Sequence, residues 1–153
     1  MSENTPELHL ENQLCFPLYA ASRLTTKVYA PFLEELGLTY PQYLVMLTIW
    51  QYGEQSVKTI GERLFLESNT LTPLLKRLEQ KQLIKRTRSQ SDERTVMISL
   101  TGSGSQLKLK AMEIPRRIIE SFNDDTVTES ELISFQSTLF KLLTVLNKKT
   151  SGV

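Results

Sequence analysis

Between Ser56 and Leu100 the hydrophobic pattern is helical twice over, interrupted by a short polar break, and then becomes two strand-like runs around a polar, basic tip. That order leaves few folds open. Ser56 stands just ahead of Val57, Ile60 and Leu64, whose spacing makes one inward stripe, and a serine there caps a helix by accepting an amide hydrogen bond. Phe65 to Asn69 reads as a turn. A second helix is expected from about Thr70 to Gln80, with Leu71, Leu74, Leu75 and Leu78 inward, Lys76 and Arg77 exposed, and Pro73 tolerated in or beside the first turn. Ile84 and Val96 to Leu100 read as two strands flanking Lys85 to Thr95, with Arg86 to Arg94 as the hairpin tip. Helix, turn, helix, strand, hairpin, strand is the layout of a winged helix. The expected class is therefore all-α with a small β-wing (α+β).

The flanks are helical. Leu10, Leu14, Leu18, Ala21 and Val28 form a stripe over a long helix at 11–30, which Pro17 kinks or starts, and Ala30-Pro31 interrupts it. Phe32 to Leu36 makes a short segment closed by Gly37. Thr39-Tyr40-Pro41-Gln42 is a capping box launching a helix over 42–51, whose broad apolar face uses Leu44 and Leu47, with Val45, Met46, Ile49 and Trp50 as further candidates. Residues 103–121 read as one helix kinked near Pro115. Thr128 and Glu131 form a second capping box, with Val127 and Leu132 as a hydrophobic staple, ahead of Phe135, Leu139, Leu142, Leu143 and Leu146. Met1 to Leu8 and Lys148 to Val153 read as a loose arm and a frayed tail. The chain is thus read as one domain over 1–153, with a reading module at 56–100. The apolar helices at 10–36 and 103–147 lie outside that module, and their simplest use is to pack against a second copy.

The 153 residues carry a formal charge of only +1, so a nucleic-acid role must rest on local charge. It does: residues 68–96 hold seven basic side chains against three acidic ones. Ser68, Asn69, Thr70 and Thr72 offer small hydrogen-bonding groups at the start of the second helix, where free amides also favour phosphate. Lys76 and Arg77 reach backbone or bases, and Arg86 and Arg88 add charge along the hairpin. Arg94 is the wing-tip candidate for a narrow minor groove, with Asp92 placed to fix its guanidinium. The expected partner is a double-stranded operator with pseudo-palindromic half-sites, read by a homodimer.

A single cysteine, Cys15, forms no internal disulfide. With no signal peptide and no membrane-length apolar run, it suits the cytoplasm. Alone it would more often be core filling. Its surroundings point to a sensor. Tyr19 is four residues on and shares its helical face, and Pro17 puts Cys15 near a helix start, whose free amides stabilise a thiolate. Tyr29 returns to nearly the same face but lies about 21 Å further along an unbroken helix. It would then meet the Cys15 of an antiparallel partner rather than its own. Tyr40 is a further candidate. Oxidation to a sulfenic acid leaves no second thiol in the chain to resolve it, which favours a mixed disulfide with a small thiol.

Taken together, Asn12-Gln13-Leu14-Cys15-Phe16, Leu38 to Tyr43, Thr70 to Glu79 and Asp92-Glu93-Arg94 resemble the MarR family over about residues 8–147, and more narrowly its organic-hydroperoxide-sensing OhrR-type repressors. The resemblance implies a dimeric winged-helix repressor, with the reactive cysteine at Cys15, its phenol contacts at Tyr29 and Tyr40, and the wing arginine at Arg94 with its acidic partner at Asp92. It also implies organic hydroperoxide and a small-molecule thiol as chemical partners. Pro17 and Asn69 depart from the pattern, at the thiol's backbone and at the start of the recognition helix.

Other readings stay open at this stage. One is a MarR-type repressor released by a small aromatic ligand, and another a one-cysteine regulator of virulence or antibiotic-resistance genes. A peroxidase has little support, because His9 is the only histidine and no second thiol sustains turnover. No catalytic residue, cofactor or metal site is expected, and no membrane association. A protein-interaction module whose hairpin never meets DNA is the remaining alternative.

Overall fold

A computed structural model describes residues 5–122, 124 and 126–151. Two 3₁₀ turns, Pro6–Leu8 and Leu10–Asn12, precede helix α1, Cys15–Glu34. Then follow α2 Tyr40–Tyr52, β1 Gln55–Ser56, α3 Val57–Leu64, α4 Ser68–Gln80, β2 Ile84–Arg88 and β3 Val96–Leu100. Helices α5 Gly102–Ala111, α6 Ile114–Ser121 and α7 Glu129–Thr150 complete the chain. The fold is mostly helical with a small antiparallel sheet, β1-β3-β2, in which Ile84 pairs with Leu100 and Arg88 with Val96. This is a winged helix-turn-helix with flanking helices.

The caps written in the sequence form. Ser56 Oγ accepts the Thr59 amide at 3.0 Å, and Gln42 Oε1 accepts the Thr39 amide at 3.1 Å. Thr128 Oγ1 accepts the Glu131 amide while Glu131 Oε2 accepts that of Thr128. Gly37, at φ 65°, closes α1: its amide reaches the Glu34 carbonyl and that of Leu38 reaches Leu33, two bonds that satisfy the helix end.

The prolines behave differently from expectation. Helix α1 begins at Cys15 and runs through Pro31 to Glu34 without the break expected at Ala30-Pro31. Pro31 cannot donate to Lys27, but burial of Leu33 and packing of Tyr29 and Phe32 on the core hold the last turn in place. Leu10 and Leu14 consequently lie ahead of the helix and are exposed. Helix α4 begins two residues earlier than expected, so Pro73 sits in its second turn. Residues 103–121 are two helices, because Pro115 falls in the first turn of α6, where a missing amide costs nothing. Strand β1 has no sequence signature.

The core lies between α2, α3, α4 and the sheet, around Val45, Met46, Ile49, Ile60, Leu71, Leu75, Leu78, Ile84 and Ile98. Leu47, expected inward, is exposed, and Tyr43 takes the inward place. The end of α1 is fastened to α6 by Arg117, whose two terminal nitrogens each donate to Glu35 at 3.1 Å while its guanidinium lies 4.4 Å from the Phe32 ring centroid. The N-terminal arm is not loose over Pro6 to Gln13: Asn12 Nδ2 donates to the Pro6 carbonyl, and Gln13 Nε2 to those of Glu7 and His9. Met1 to Asn4 of the expected arm and Gly152-Val153 of the expected tail lie outside the described residues, and α7 stays helical to Thr150.

Candidate DNA interface and thiol site

The candidate reading surface is built from α4 and the β2–β3 wing. Ser68, Asn69 and Thr70 occupy the first turn of α4 and are exposed, with Thr72 half-buried beside them. Among the described residues the Ser68 and Asn69 amides have no carbonyl partner and are free for a phosphate, whereas the Thr70 amide donates to the Glu67 carbonyl at 3.1 Å. Lys76 and Arg77 are exposed further along the helix. Arg94 and Thr72 line a cleft of about 390 Å³ between wing and helix, together with Ser68, Lys58 and Arg86.

Two hairpin residues have other partners than expected. Arg86 lies within strand β2 rather than at the tip, and its Nε donates to Glu79 Oε2 at 2.7 Å, tying the wing to the recognition helix. Asp92 does not hold the Arg94 guanidinium. Its Oδ1 accepts the Arg94 amide at 3.0 Å and its Oδ2 accepts the Thr95 hydroxyl at 2.9 Å, so it shapes the turn and leaves the Arg94 side chain exposed. Arg88 ends β2 and is exposed.

Cys15 is exposed at the first residue of α1. Tyr19 is also exposed, and the Arg23 guanidinium lies 5.6 Å from its ring centroid; among the described residues no hydrogen bond joins Tyr19 to the sulfur. Tyr29 and Tyr40 come together, with ring centroids 4.8 Å apart, and Tyr43 adds a third ring 6.2 Å from Tyr29. Tyr43 in turn meets Trp50 edge-on at 6.4 Å. Burial, with neighbouring phenols adding to it, pushes the Tyr29 hydroxyl up to about 12 and raises that of Tyr43, and burial alone raises that of Tyr40. The cluster is therefore neutral and proton-donating across the physiological range.

Because α1 is continuous, Tyr29 lies fourteen residues and about 21 Å from the Cys15 of its own chain. The sulfur and the phenol cluster are thus separate within one chain. Tyr43 was not among the sequence candidates, since a tyrosine inside an apolar helix reads as core; its spacing of three from Tyr40 was the available signal.

The helices at the two ends of the chain carry uncovered apolar side chains. Helix α7 has no buried residue, and Phe140, Ile133 and Phe135 are exposed, as are Leu14 and Leu24 at the other end of the chain. An apolar groove of about 360 Å³ runs between α2 and α5–α6, lined by Tyr43, Leu47, Trp50, Lys108 and Met112. Among the described residues no helix is long and apolar enough to cross a membrane, and no group of three His, Cys, Asp or Glu side chains is placed to hold a metal.

Residues 27–111 match the family model of the transcriptional regulator SarA/Rot. The chain is 48% identical over 149 residues to the organic hydroperoxide resistance transcriptional regulator of Bacillus subtilis, covering 97% of this chain and 99% of that protein. It is 41% identical over 126 residues to the HTH-type transcriptional regulator SarZ of Staphylococcus aureus, covering 82% and 85%. The structure is similar to reduced AbfR bound to DNA, the Staphylococcus epidermidis protein, at 41% identity and a TM-score of 0.73 over 95% of this chain and 99% of that one.

Proposed function

We propose that this chain, which belongs to the MarR/SarA superfamily of winged-helix transcriptional regulators, is a dimeric repressor that leaves its operator when Cys15 is oxidised by an organic hydroperoxide and captured by a small thiol. It is a DNA-binding regulator rather than an enzyme. The observation that carries the redox reading is the geometry of α1: an exposed thiol at its first residue, and a neutral phenol cluster about 21 Å further on. Antiparallel pairing of two such helices brings each Cys15 to the partner's Tyr29 and Tyr40. The uncovered apolar faces of α1 and α7 supply the surface for that pairing.

The chemistry follows. The thiolate attacks the distal peroxide oxygen, the O–O bond breaks, and the alkoxide takes a proton to leave as an alcohol, giving a sulfenic acid. A small thiol then displaces water to form the mixed disulfide. Added bulk displaces the phenols, which sit on α1 and α2 beneath the reading head. Two recognition helices must stand roughly 34 Å apart to enter successive major grooves, so a shift of a few ångströms weakens binding. Ser68, Asn69, Thr70, Thr72, Lys76, Arg77 and Arg88 would face the duplex, with Arg94 in the minor groove. Arg86 and Asp92 would hold the wing in shape.

Mixed dimers of Cys15→Ser and Tyr29→Phe chains test the shared site. Each contains one site with both native residues and one with neither, so half of the mixed dimers' sites should react with cumene hydroperoxide at the native rate. Both parent homodimers should react slowly or not at all. Mixed dimers no faster than their parents would refute the shared site. The apolar groove beside Tyr43 favours a second reading, release by a small aromatic ligand, and salicylate releasing Cys15→Ser from DNA as readily as wild type would support it.

A further inference from the structure

The recognition helix ends on a lysine that reaches into the turn joining the two phenol-bearing helices. Lys81 is the C-terminal cap residue of α4. Its ammonium donates to the Gly37 carbonyl, in the turn that closes α1, and to Gln42 Oε1 at 3.0 Å, in the first turn of α2. Gln42 is fully buried, and the same oxygen accepts the Thr39 amide. Tyr40, whose ring packs at a tilt of 60° against that of Tyr29, lies between those two acceptors in sequence. The Lys81 side chain therefore spans the distance from the base of the reading helix to both ends of the segment that positions Tyr40.

We propose that Lys81 is the positioning residue that carries displacement of the phenol cluster to the recognition helix. The proposal rests on the redox reading above and deepens it. When Tyr40 moves, the α1–α2 turn moves with it, and a charge-assisted pair of hydrogen bonds obliges the end of α4 to follow. Apolar packing between α2 and α4 would permit some sliding; a directional tether at the helix end does not. The lysine also sits at the carbonyl end of α4, where positive charge is favoured.

Removing the tether should spare the fold. In Lys81→Met the aliphatic stem remains, Gln42 Oε1 keeps the Thr39 amide, and the exposed Gly37 carbonyl turns to water, so no buried group loses its last partner. The measurement is the ratio of operator Kd between fully Cys15-glutathionylated and reduced protein, by fluorescence anisotropy. The probe is a duplex selected by the reduced wild type from a random pool, with adduct occupancy verified by intact mass. Wild type should show a ratio of roughly 100-fold, within the usual range of coupling between sites. Lys81→Met should lower that ratio at least about tenfold, with an unchanged rate of adduct formation and a melting temperature within about 3 °C. Lys81→Arg, which retains charge and donors, should restore it.

A lysine that merely touched phosphate would weaken both redox forms by one factor and leave the ratio intact. A Lys81→Met ratio equal to that of wild type therefore overturns the tether while the redox reading stands. A wild-type ratio near one overturns both.

Discussion

Replacing Gly104 with alanine puts a methyl group where α5 crosses the start of strand β2. A Cβ there would lie 3.0 Å from the Leu83 carbonyl carbon, closer still to its oxygen, and 3.1 Å from Leu100 Cδ2. Carbon atoms pack at about 3.5–4.0 Å, so the helix must retreat by close to 1 Å. That retreat stretches two bonds past useful length: Trp50 Nε1 to the Gly104 carbonyl, now 2.9 Å, and the Gly104 amide to the Thr101 cap, now 3.0 Å. Two net hydrogen bonds contribute about 2 kcal/mol, and overpacking adds about 1–3. Alanine's better helix propensity returns about 1 kcal/mol. The balance is a loss of about 2–4 kcal/mol, or roughly 10 °C in melting temperature for a chain of this size. Gly102→Ala is the control, because a Cβ at 102 meets nothing within 4 Å. Thermal unfolding by circular dichroism at matched protein concentration compares the two. Equal melting temperatures would refute the close approach of α5 to Leu83.

Three further outcomes are expected. The folded protein's phenolate absorbance should keep rising towards pH 12, and Tyr29→Phe should remove that late step. Because the folded value lies above the usual 10, the stability contributed by Tyr29 is full below pH 10 and is lost as pH climbs towards 12; half-exposure reduces it to about 1 kcal/mol. Arg94→Ala should weaken operator binding by roughly 10- to 100-fold and lower the salt slope by about one, measured by anisotropy at several salt concentrations. Glu79→Gln should cost under about 1 kcal/mol in stability yet speed amide exchange in β2, since its bond to Arg86 joins wing and helix at a half-exposed site.

What was legible in the sequence was what short-range chemistry decides. Ser56, Thr39 with Gln42, and Thr128 with Glu131 cap their helices because each bond closes within a few residues. Pro31 misled because a proline's local penalty was set against packing of Leu33 and Phe32 that only the folded chain supplies. Pro115 misled for a related reason: it starts a helix as readily as it kinks one. At the site, clustering of Tyr29 with Tyr40 depends on a turn whose geometry Gly37 announces, whereas Tyr43 was indistinguishable from core. Asp92 was legible as a wing residue but not in its partner, because an aspartate two residues before an arginine can bind either the guanidinium or the amide. Lys81 reaches across 44 residues of chain to Gly37, and nothing in a linear pattern marks such a pair.

The linkage between one sulfur and the reading heads is tested most directly by measuring, on the same samples, the fraction of Cys15 carrying a glutathione adduct and the fraction of operator duplex bound, across graded cumene hydroperoxide with glutathione present. Bound duplex should fall in proportion to the modified fraction, recover on reduction with dithiothreitol, and stay constant for Cys15→Ser. Full modification of Cys15 with undiminished operator binding would contradict it.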